Sequence, residues 1–331
     1  MQYGLRARWN TLNYPIKTRP LRCISRICLV RYLAIYLVTN WSAVACAEPS
    51  PEKQISDGLS QLGDQLFEGL LGDADAERQA LEKVEISLKE ERELGEVQLR
   101  QFLESLRAQR TVVEKRGKDV TYVSELLKEI HPLMQHAARY ESISVYVAVV
   151  DGTDARSFPG GSIVCTRGMI EFAKSEAALV GVLAHELSHI DRGHQLDKLR
   201  RFKLAQDTFT SSNRSFAEWM TSGTAFVKMF AEPFQPSQEA EADLDAANWM
   251  FQAGYDPGEM AELFHRLHQR DREQVVPLPG FLRSHPYHAE RYEVVKQFAI
   301  RMQAAGNGDK LYVGRKNLRL RIPRSAKRFA E

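Results

Sequence analysis

Residues 185 to 189 read His-Glu-Leu-Ser-His, and this pentapeptide constrains the fold of the chain more than any other stretch. On a helix, side chains four residues apart lie one above the other, so His185 and His189 can bind one metal ion together. Glu186 between them is then placed to act as a general base. Apolar residues recur at helical spacing from Ser175 to His194, which predicts one continuous helix with a buried stripe.

A histidine pair alone is often just polar surface on an amphipathic helix, so a third ligand is needed to support a metal site. Residues 237 to 243 read Ser-Gln-Glu-Ala-Glu-Ala-Asp in a helix-forming context, which places Glu239 and Asp243 on one face. A catalytic zinc ion takes three protein ligands and keeps one position for water, so His185, His189 and Glu239 are the predicted ligands. Asp243 is expected behind them, orienting a ligand imidazole. Glu241 is interpreted as a solvated position.

Taken together, four blocks of sequence resemble the zinc metallopeptidases of the CaaX prenyl protease, HtpX and BepA type, peptidase family M48, which includes the Oma-type mitochondrial proteases. The blocks lie between about residues 118 and 300. They are Phe158-Pro159-Gly160-Gly161, His185 to His189 with His194 after it, Glu239 to Asp243, and Ser284-His285-Pro286 followed by Arg291. The family pattern makes the first glutamate of the third block, Glu239 rather than Glu241, the zinc ligand.

The chain also departs from the family pattern. Members often carry an Asn-Ala-Phe-Ala-type run ahead of Pro-Gly-Gly, whereas here the run is Asp154-Ala155-Arg156-Ser157-Phe158, so substrate contacts are expected to differ there. In the BepA branch helical repeats follow the protease domain, and residues after 300 show no repeated period of 34 residues.

The expected chemistry is peptide-bond hydrolysis by a zinc-activated water, with Glu186 taking the proton and returning it to the departing amine. The oxyanion of the transition state needs a further partner, and His285 and Arg291, with Tyr287 behind them, are the candidates. Two other interpretations of His285 stay open. It can be a fourth zinc ligand in a resting state, or an ordinary core histidine followed by Pro286.

The sequence therefore predicts a zinc metalloendopeptidase of the gluzincin type that acts on unfolded or misassembled protein. A role in protein quality control of the cell envelope is implied by the resemblance alone. Two alternatives remain: a chaperone-like binding module with slow or absent proteolysis, and a zinc aminopeptidase. The intact Glu186 argues against the binding module, because a pure scaffold does not need a general base.

The predicted fold class is α+β and mainly helical, with an active-site helix and a small β-sheet. Residues 143–150 and 162–166 have the β-branched composition of strands and are expected to pair. The Pro159-Gly160-Gly161 turn either brings a substrate-binding strand edge close to the metal helix or is a plain hairpin turn.

Residues 48–117 are predicted to form amphipathic helices that pack on the catalytic domain or form an arm for a helical partner. The metallopeptidase domain is placed at 118–300.

The first 47 residues contain seven basic and no acidic residues and then run apolar from Tyr32 to Ala47, the layout of an export signal. An A-x-A site at Ala45 and Ala47 predicts cleavage before Glu48 and a periplasmic or membrane-associated protein. Lipidation at Cys46 and an organelle transit peptide are the alternatives. Removing these residues changes the formal net charge of the chain from +2 to about −5. Cys165 would then be the one cysteine left, and it is interpreted as a buried apolar position.

Residues 301–331 form a basic tail in which Leu318, Leu320 and Ile322 alternate with arginines. This alternation predicts an edge strand with one charged face, and attraction to an anionic membrane surface is the second interpretation.

Upstream, Asp256-Pro257 predicts a helix start with Glu259 closing a capping box. Aromatic residues do not interleave with the basic ones, so no nucleic-acid partner is predicted.

Overall fold

The computed structural model describes residues 79–208, 233–273, 285, 288–305 and 310–330. This part of the chain is α+β and mainly helical with one four-stranded sheet, which confirms the predicted fold class. The predicted export signal, residues 1–47, lies outside the described residues, as do the first predicted helices before residue 79. Within the described residues, no helix combines the length and apolar character needed to cross a membrane.

The sheet contains β1 (Val112–Glu114), β2 (Ser144–Val149), β3 (Ala155–Phe158) and β4 (Ser162–Thr166) in the order β1-β2-β4-β3. Strands β2 and β4 pair in parallel, which confirms the pairing predicted from composition. Strand β3 pairs antiparallel with β4 through the Pro159-Gly160-Gly161 turn, so this turn closes a hairpin. The strand pattern did not predict β3, because its four residues include no β-branched side chain. Cys165 in β4 is fully buried, as interpreted from the sequence.

The helices are α1 (Leu88–Ala108), α2 (Lys118–Ile130), α3 (Arg167–Phe172), α4 (Glu176–Asp191), α5 (Asp197–Thr208), α6 (Pro236–Gln252), α7 (Gly258–Glu273), α8 (His288–Ala305) and α9 (Arg315–Leu320). Helix α4 is the centre of the core, since all of its residues are buried. It packs against α6, α7, α2 and the hairpin strand β3. A helix buried on every side needs a partner for each of its polar residues. Glu176 near its start binds the hydroxyls of Tyr122 and Tyr255.

Helix α4 begins at a side-chain cap and ends earlier than the sequence predicts. The hydroxyl of Ser175 accepts a hydrogen bond from the backbone N–H of Ala178, which satisfies a first-turn donor. The helix ends at Asp191 rather than His194, because Gly193 adopts the left-handed conformation at φ 66°. His194 begins a short 3-10 turn instead.

Helix α1 packs on the sheet, which is the first of the two alternatives for the helical segment. Leu99 and Leu103 form one apolar cluster with Phe158 and Val164 of the hairpin. The carboxylate of Glu91 accepts hydrogen bonds from the hydroxyl of Tyr140, the guanidinium of Arg139 and the backbone N–H of Gly160. This helix is therefore part of the same packed unit as the sheet.

The basic tail differs from its prediction. Residues 315–320 form α9 between two left-handed residues, Gly314 and Arg321, so the predicted edge strand is wrong. Residues two apart on a helix point to different faces, and here Leu318 is buried, Leu320 is only partly buried and Arg319 is exposed. Arg321 pairs with Asp119 at 2.8 Å and Arg324 with Glu129 at 3.0 Å, so these two arginines face the protein.

The start of α7 also differs from its predicted capping box. The side chain of Asp256 accepts a hydrogen bond from the backbone N–H of Gly258, as expected of a cap. Glu259 does not close the box, because its carboxylate binds the hydroxyl of Ser175 and the guanidinium of Arg315. The side chain thereby ties α7 and the tail to the start of α4.

Replacing Gly95 of α1 with alanine is predicted to destabilise the fold by about 2–3 kcal/mol, because the added Cβ overpacks a tight contact. That atom would lie 1.8 Å from the carbonyl oxygen of Pro159, a backbone atom that cannot rotate away. Gly152→Ala is the control, since nothing lies within 4 Å of its added Cβ. Urea unfolding should separate the two variants, and equal midpoints would contradict the proposed contact between α1 and the hairpin.

Candidate metal centre and active site

Four side chains converge where α4 packs against the first turn of α6. His185 and His189 come from α4, Glu239 from α6 and His285 from the residues just before α8. One ligand atom from each lies within 4.8 Å of all the others, and all four side chains are buried. The structure thus brings together the three predicted ligands and one of the candidate catalytic residues.

The distances between the three predicted ligands suit a metal ion. The Nε2 atoms of His185 and His189 are 3.0 Å apart, and the Glu239 carboxylate lies 3.5 Å from each of them. Ligand bonds of about 2.0–2.1 Å in a tetrahedral site place neighbouring ligand atoms about 3.3 Å apart. The donor set of two imidazoles and one carboxylate is also one that zinc accepts, so these residues fit the metal.

The protonation of His189 is suited to metal binding. Its burial disfavours the charged ring and lowers the pKa of His189 to about 3, against the opposing effect of Glu239. The pKa of Glu239 is far below its usual range: burial raises it, but the positive charges of His285 and Arg291 outweigh burial. A neutral imidazole and an ionised carboxylate are the forms that bind a metal.

His285 lies inside the cluster rather than in a separate part of the core. Its Nδ1 is 2.8 Å from Oε1 of Glu239 and 3.1 Å from Nε2 of His185, and its Nε2 is 3.1 Å from Oε1 of Glu186. Burial lowers the pKa of His285, but the two carboxylates outweigh burial and raise it to about 9. The ring therefore bridges the predicted ligands and the predicted base.

Glu186 faces the hairpin strand β3. Its Oε2 accepts hydrogen bonds from the backbone N–H and the hydroxyl of Ser157, at 2.8 and 2.6 Å. Burial raises the pKa of Glu186, but the positive charge of His285 outweighs burial and lowers it to about 2. The carboxylate is therefore ionised and fixed on the sheet side of the cluster.

A second layer of charged groups supports the ligands. Oδ1 of Asp243 lies 2.9 Å from Nδ1 of His185, the position expected for a residue that orients a ligand imidazole. Arg291 binds both oxygens of Asp243 and lies 2.7 Å from Oε2 of Glu239. Its guanidinium also packs over the ring of Phe264, at 4.4 Å from the ring centroid. Tyr287, predicted behind His285 and Arg291, lies outside the described residues.

The partners of the second α4 imidazole, that of His189, were not predicted from the sequence. Nδ1 of His189 lies 2.9 Å from Nδ1 of His194, whose Nε2 is 3.4 Å from Oε2 of Glu241. Glu241 is partly exposed, in keeping with its interpretation as a solvated residue, and it also pairs with Arg192 at 3.0 Å. The signal available was the spacing of His194, five residues after His189 and just beyond the end of the helix.

An aromatic ring that belongs to no motif covers this imidazole. Phe234 stacks on His189 with ring centroids 3.8 Å apart and an interplanar angle of 15°. The same ring lies 5.5 Å from that of His285. Apolar cover on a metal-binding imidazole keeps water away from it on that side.

Comparison with known proteins agrees with this geometry. The model of Peptidase family M48 matches residues 122–299, more than half of the chain. The beta-barrel assembly-enhancing protease of Yersinia pestis is 27% identical over 169 residues, covering 48% of this chain and 35% of that protein. The mitochondrial metalloendopeptidase OMA1 of Schizosaccharomyces pombe is 26% identical over 180 residues, covering 54% and 52%. The beta-barrel assembly-enhancing protease of Escherichia coli is 26% identical over 164 residues, covering 46% and 34%.

The fold and the buried cluster define a metallopeptidase domain. The chain belongs to peptidase family M48, which confirms the resemblance seen in the sequence motifs. The family implies a bound metal, and the cluster around His185, His189 and Glu239 can hold one. The chain spans between about a third and a half of the length of these relatives.

Replacing His194 with alanine is predicted to weaken metal binding by about 10–100-fold, because the His189 imidazole loses the partner that orients it. Competition with a chromophoric chelator measures this affinity. His265→Ala is the control, since that ring contacts Gln269 and Tyr292 on α7 and α8. An unchanged affinity in the His194 variant would show that the contact does not support the ligand.

Proposed function

We propose that this chain is a zinc-dependent metalloendopeptidase that hydrolyses peptide bonds within protein substrates. The observation that carries the proposal is the convergence of two helix-borne imidazoles and the Glu239 carboxylate, with Glu186 fixed beside them. Membership of peptidase family M48 supports the same reaction class. The names of two relatives describe proteases and that of a third a metalloendopeptidase.

His185, His189 and Glu239 would hold the zinc ion, which leaves one coordination position for water or substrate. When bound, zinc supplies Lewis-acid chemistry, polarising the substrate carbonyl and lowering the pKa of water at the site. The chain contributes rigid ligands, because α4 is buried on all sides and both imidazoles have partners at their second nitrogen. Rigid ligands keep the open position aimed at the substrate.

Glu186 would accept a proton from the attacking water and return it to the amine nitrogen of the leaving group. Its Oε1 lies 3.1 Å from the His285 ring, on the side of the ligand cluster. This oxygen is therefore the one in position for proton transfer, while Oε2 stays bound to Ser157.

His285 and Arg291 are assigned different tasks. The imidazole of His285 reaches both Glu186 and Glu239, so it can stabilise the oxyanion or occupy the fourth ligand position in a resting state. Arg291 is engaged by Asp243 and Glu239, and we propose that it neutralises these carboxylates rather than binding the substrate.

The proposed substrates are unfolded or misassembled proteins, in quality control of the cell envelope. The names of two relatives, beta-barrel assembly-enhancing proteases, favour this setting, and the signal-like composition of residues 1–47 favours export. Association of the basic tail, residues 301–331, with an anionic membrane surface, and a helical partner for residues 51–116, remain predictions. Arg315, Arg321 and Arg324 are held in ion pairs with Glu259, Asp119 and Glu129, so other basic residues of the tail would have to meet such a surface.

Replacing Glu186 with glutamine is predicted to lower cleavage of unfolded casein by about 10²–10⁴-fold while the protein keeps one zinc per chain, because the amide cannot accept the proton. Product peptides and zinc content are the measurements. Glu125→Gln is the matched control, a partly exposed glutamate paired with Lys128. Equal cleavage by wild type and Glu186→Gln would refute the mechanism, and release of single residues from free N-termini would indicate an aminopeptidase. Zinc-loaded wild type that binds casein without cleaving it would favour the chaperone-like alternative.

Replacing His285 with alanine separates its two candidate roles. A resting-state ligand predicts faster turnover in the variant, because the fourth position is then open to water at all times. An oxyanion partner predicts a fall in kcat of about 10²–10³-fold. Steady-state kinetics on a quenched peptide distinguish the outcomes, and an unchanged kcat would exclude both.

A further inference from the structure

We infer that Ser157 and Gln195 position the carboxylate of Glu186. They hold one of its oxygens so that the other faces the predicted ligands His185, His189 and Glu239. This inference rests on the proposed function, in which Glu186 is the general base. Both residues would be positioning residues, because they act through Glu186 and are not placed against the substrate. Neither belongs to the motifs that the chain shares with its family.

The contacts form a chain of three short hydrogen bonds. Ser157 donates to Oε2 of Glu186 from its backbone N–H at 2.8 Å and from its hydroxyl at 2.6 Å. The side-chain amide of Gln195 donates to the same hydroxyl at 2.7 Å. All three residues are buried, with Glu186 fully enclosed, Ser157 6% exposed and Gln195 9% exposed. Buried hydrogen bonds to a charged group are stronger than bonds at the surface.

Gln195 sets the direction of the serine hydroxyl. A hydroxyl has one proton to donate, and its oxygen accepts from the Gln195 amide, so the proton is directed to the carboxylate. Without the glutamine, the hydroxyl could rotate and donate elsewhere. The amide therefore converts an adaptable hydroxyl into a fixed donor.

The anchoring assigns different tasks to the two oxygens of Glu186. Oε2 receives two donors from β3, whereas Oε1 lies 3.1 Å from His285 and faces the ligands. A partial rotation of the carboxylate about its last bond would move the oxygen that faces the ligands out of line. Fixing one oxygen keeps the other in the geometry that proton transfer requires.

The two positioning residues lie on elements that the core holds still. Ser157 is opposite Ile163 in the β3–β4 hairpin, and Ile163 is fully buried. Gln195 lies in the 3-10 turn that follows the left-handed Gly193 at the end of α4. Ser157 also falls in the stretch where the chain departs from the Asn-Ala-Phe-Ala-type run. The serine hydroxyl is therefore a feature of this chain, whereas any residue except proline could supply the backbone donor.

A merely structural role for these bonds gives a different expectation. A buried carboxylate needs donors, and removing one then lowers the free energy of unfolding without changing kcat. A positioning role instead lowers kcat and leaves KM unchanged, since the substrate is bound as before while the base is misaligned. The value of kcat, measured together with KM, therefore decides between the two roles.

The experiment uses the full chain loaded with zinc and a quenched peptide substrate, with Ser157→Ala as the main variant. The expected result is a fall in kcat of about tenfold with KM and zinc content near those of the wild type, together with a lower melting temperature, because the buried carboxylate loses one donor. Ser157→Thr keeps the hydroxyl and should restore most of kcat. The kcat of Gln195→Leu should lie between those of the wild type and Ser157→Ala. Ser124→Ala is the matched control, because that hydroxyl binds the backbone carbonyl of Val120 on α2.

The outcomes separate this inference from the proposed function. If Glu186→Gln abolishes cleavage while Ser157→Ala matches the wild type in kcat, the positioning inference is overturned and the metalloendopeptidase stands. If Glu186→Gln cleaves like the wild type, the proposed function itself fails. Should Ser157→Ala unfold, Gln195→Leu still decides, since a kcat equal to that of the wild type in this variant would overturn the role of the directed hydroxyl.

Discussion

The fold depends on keeping a group of ionisable side chains buried between α4 and α6. Each charge removed from water costs several kcal/mol unless a partner compensates for it. Here the carboxylates of Glu239 and Asp243 face Arg291 and His285, and every ligand imidazole has a further polar neighbour. These partners lie on separate helices, so the site exists only when the helices are packed together. A metal cation that joins this cluster adds positive charge where the carboxylates need it, which links metal binding to the stability of the fold.

The part of the site that could be predicted from sequence was predicted from the local spacing of its residues. The helical repeat places His185 above His189 and Glu239 above Asp243, and no tertiary contact is needed to see either pair. Burial of α4 follows from its apolar residues, and the strands β2 and β4 follow from β-branched runs. The meeting of the two helices rests on metal chemistry and on the family pattern, because nothing in either helix alone encodes the distance between them.

Contacts made across the fold could not be predicted. Ser157 reaches Glu186 because β3 pairs with β4, and β3 itself has little strand propensity. The contact between His194 and Glu241 needs the turn at Gly193, which redirects the chain at the end of α4. The alternation in the basic tail was interpreted as a strand, yet Gly314 and the left-handed Arg321 delimit a single helical segment there. In each case a tertiary contact or a turn overrides the local pattern.

The position of the Glu186 carboxylate also depends on a helix that lies before the family region. The match to peptidase family M48 begins at residue 122, whereas α1 ends at Ala108. The carboxylate of Glu91 in α1 accepts a hydrogen bond from the backbone N–H of Gly160. Because Gly95 has no Cβ, α1 can approach the carbonyl of Pro159 closely. Both contacts hold the turn that joins β3 to β4, and β3 carries the serine bound to Glu186. Helix α1 therefore supports the Glu186 carboxylate indirectly, through the hairpin that carries Ser157.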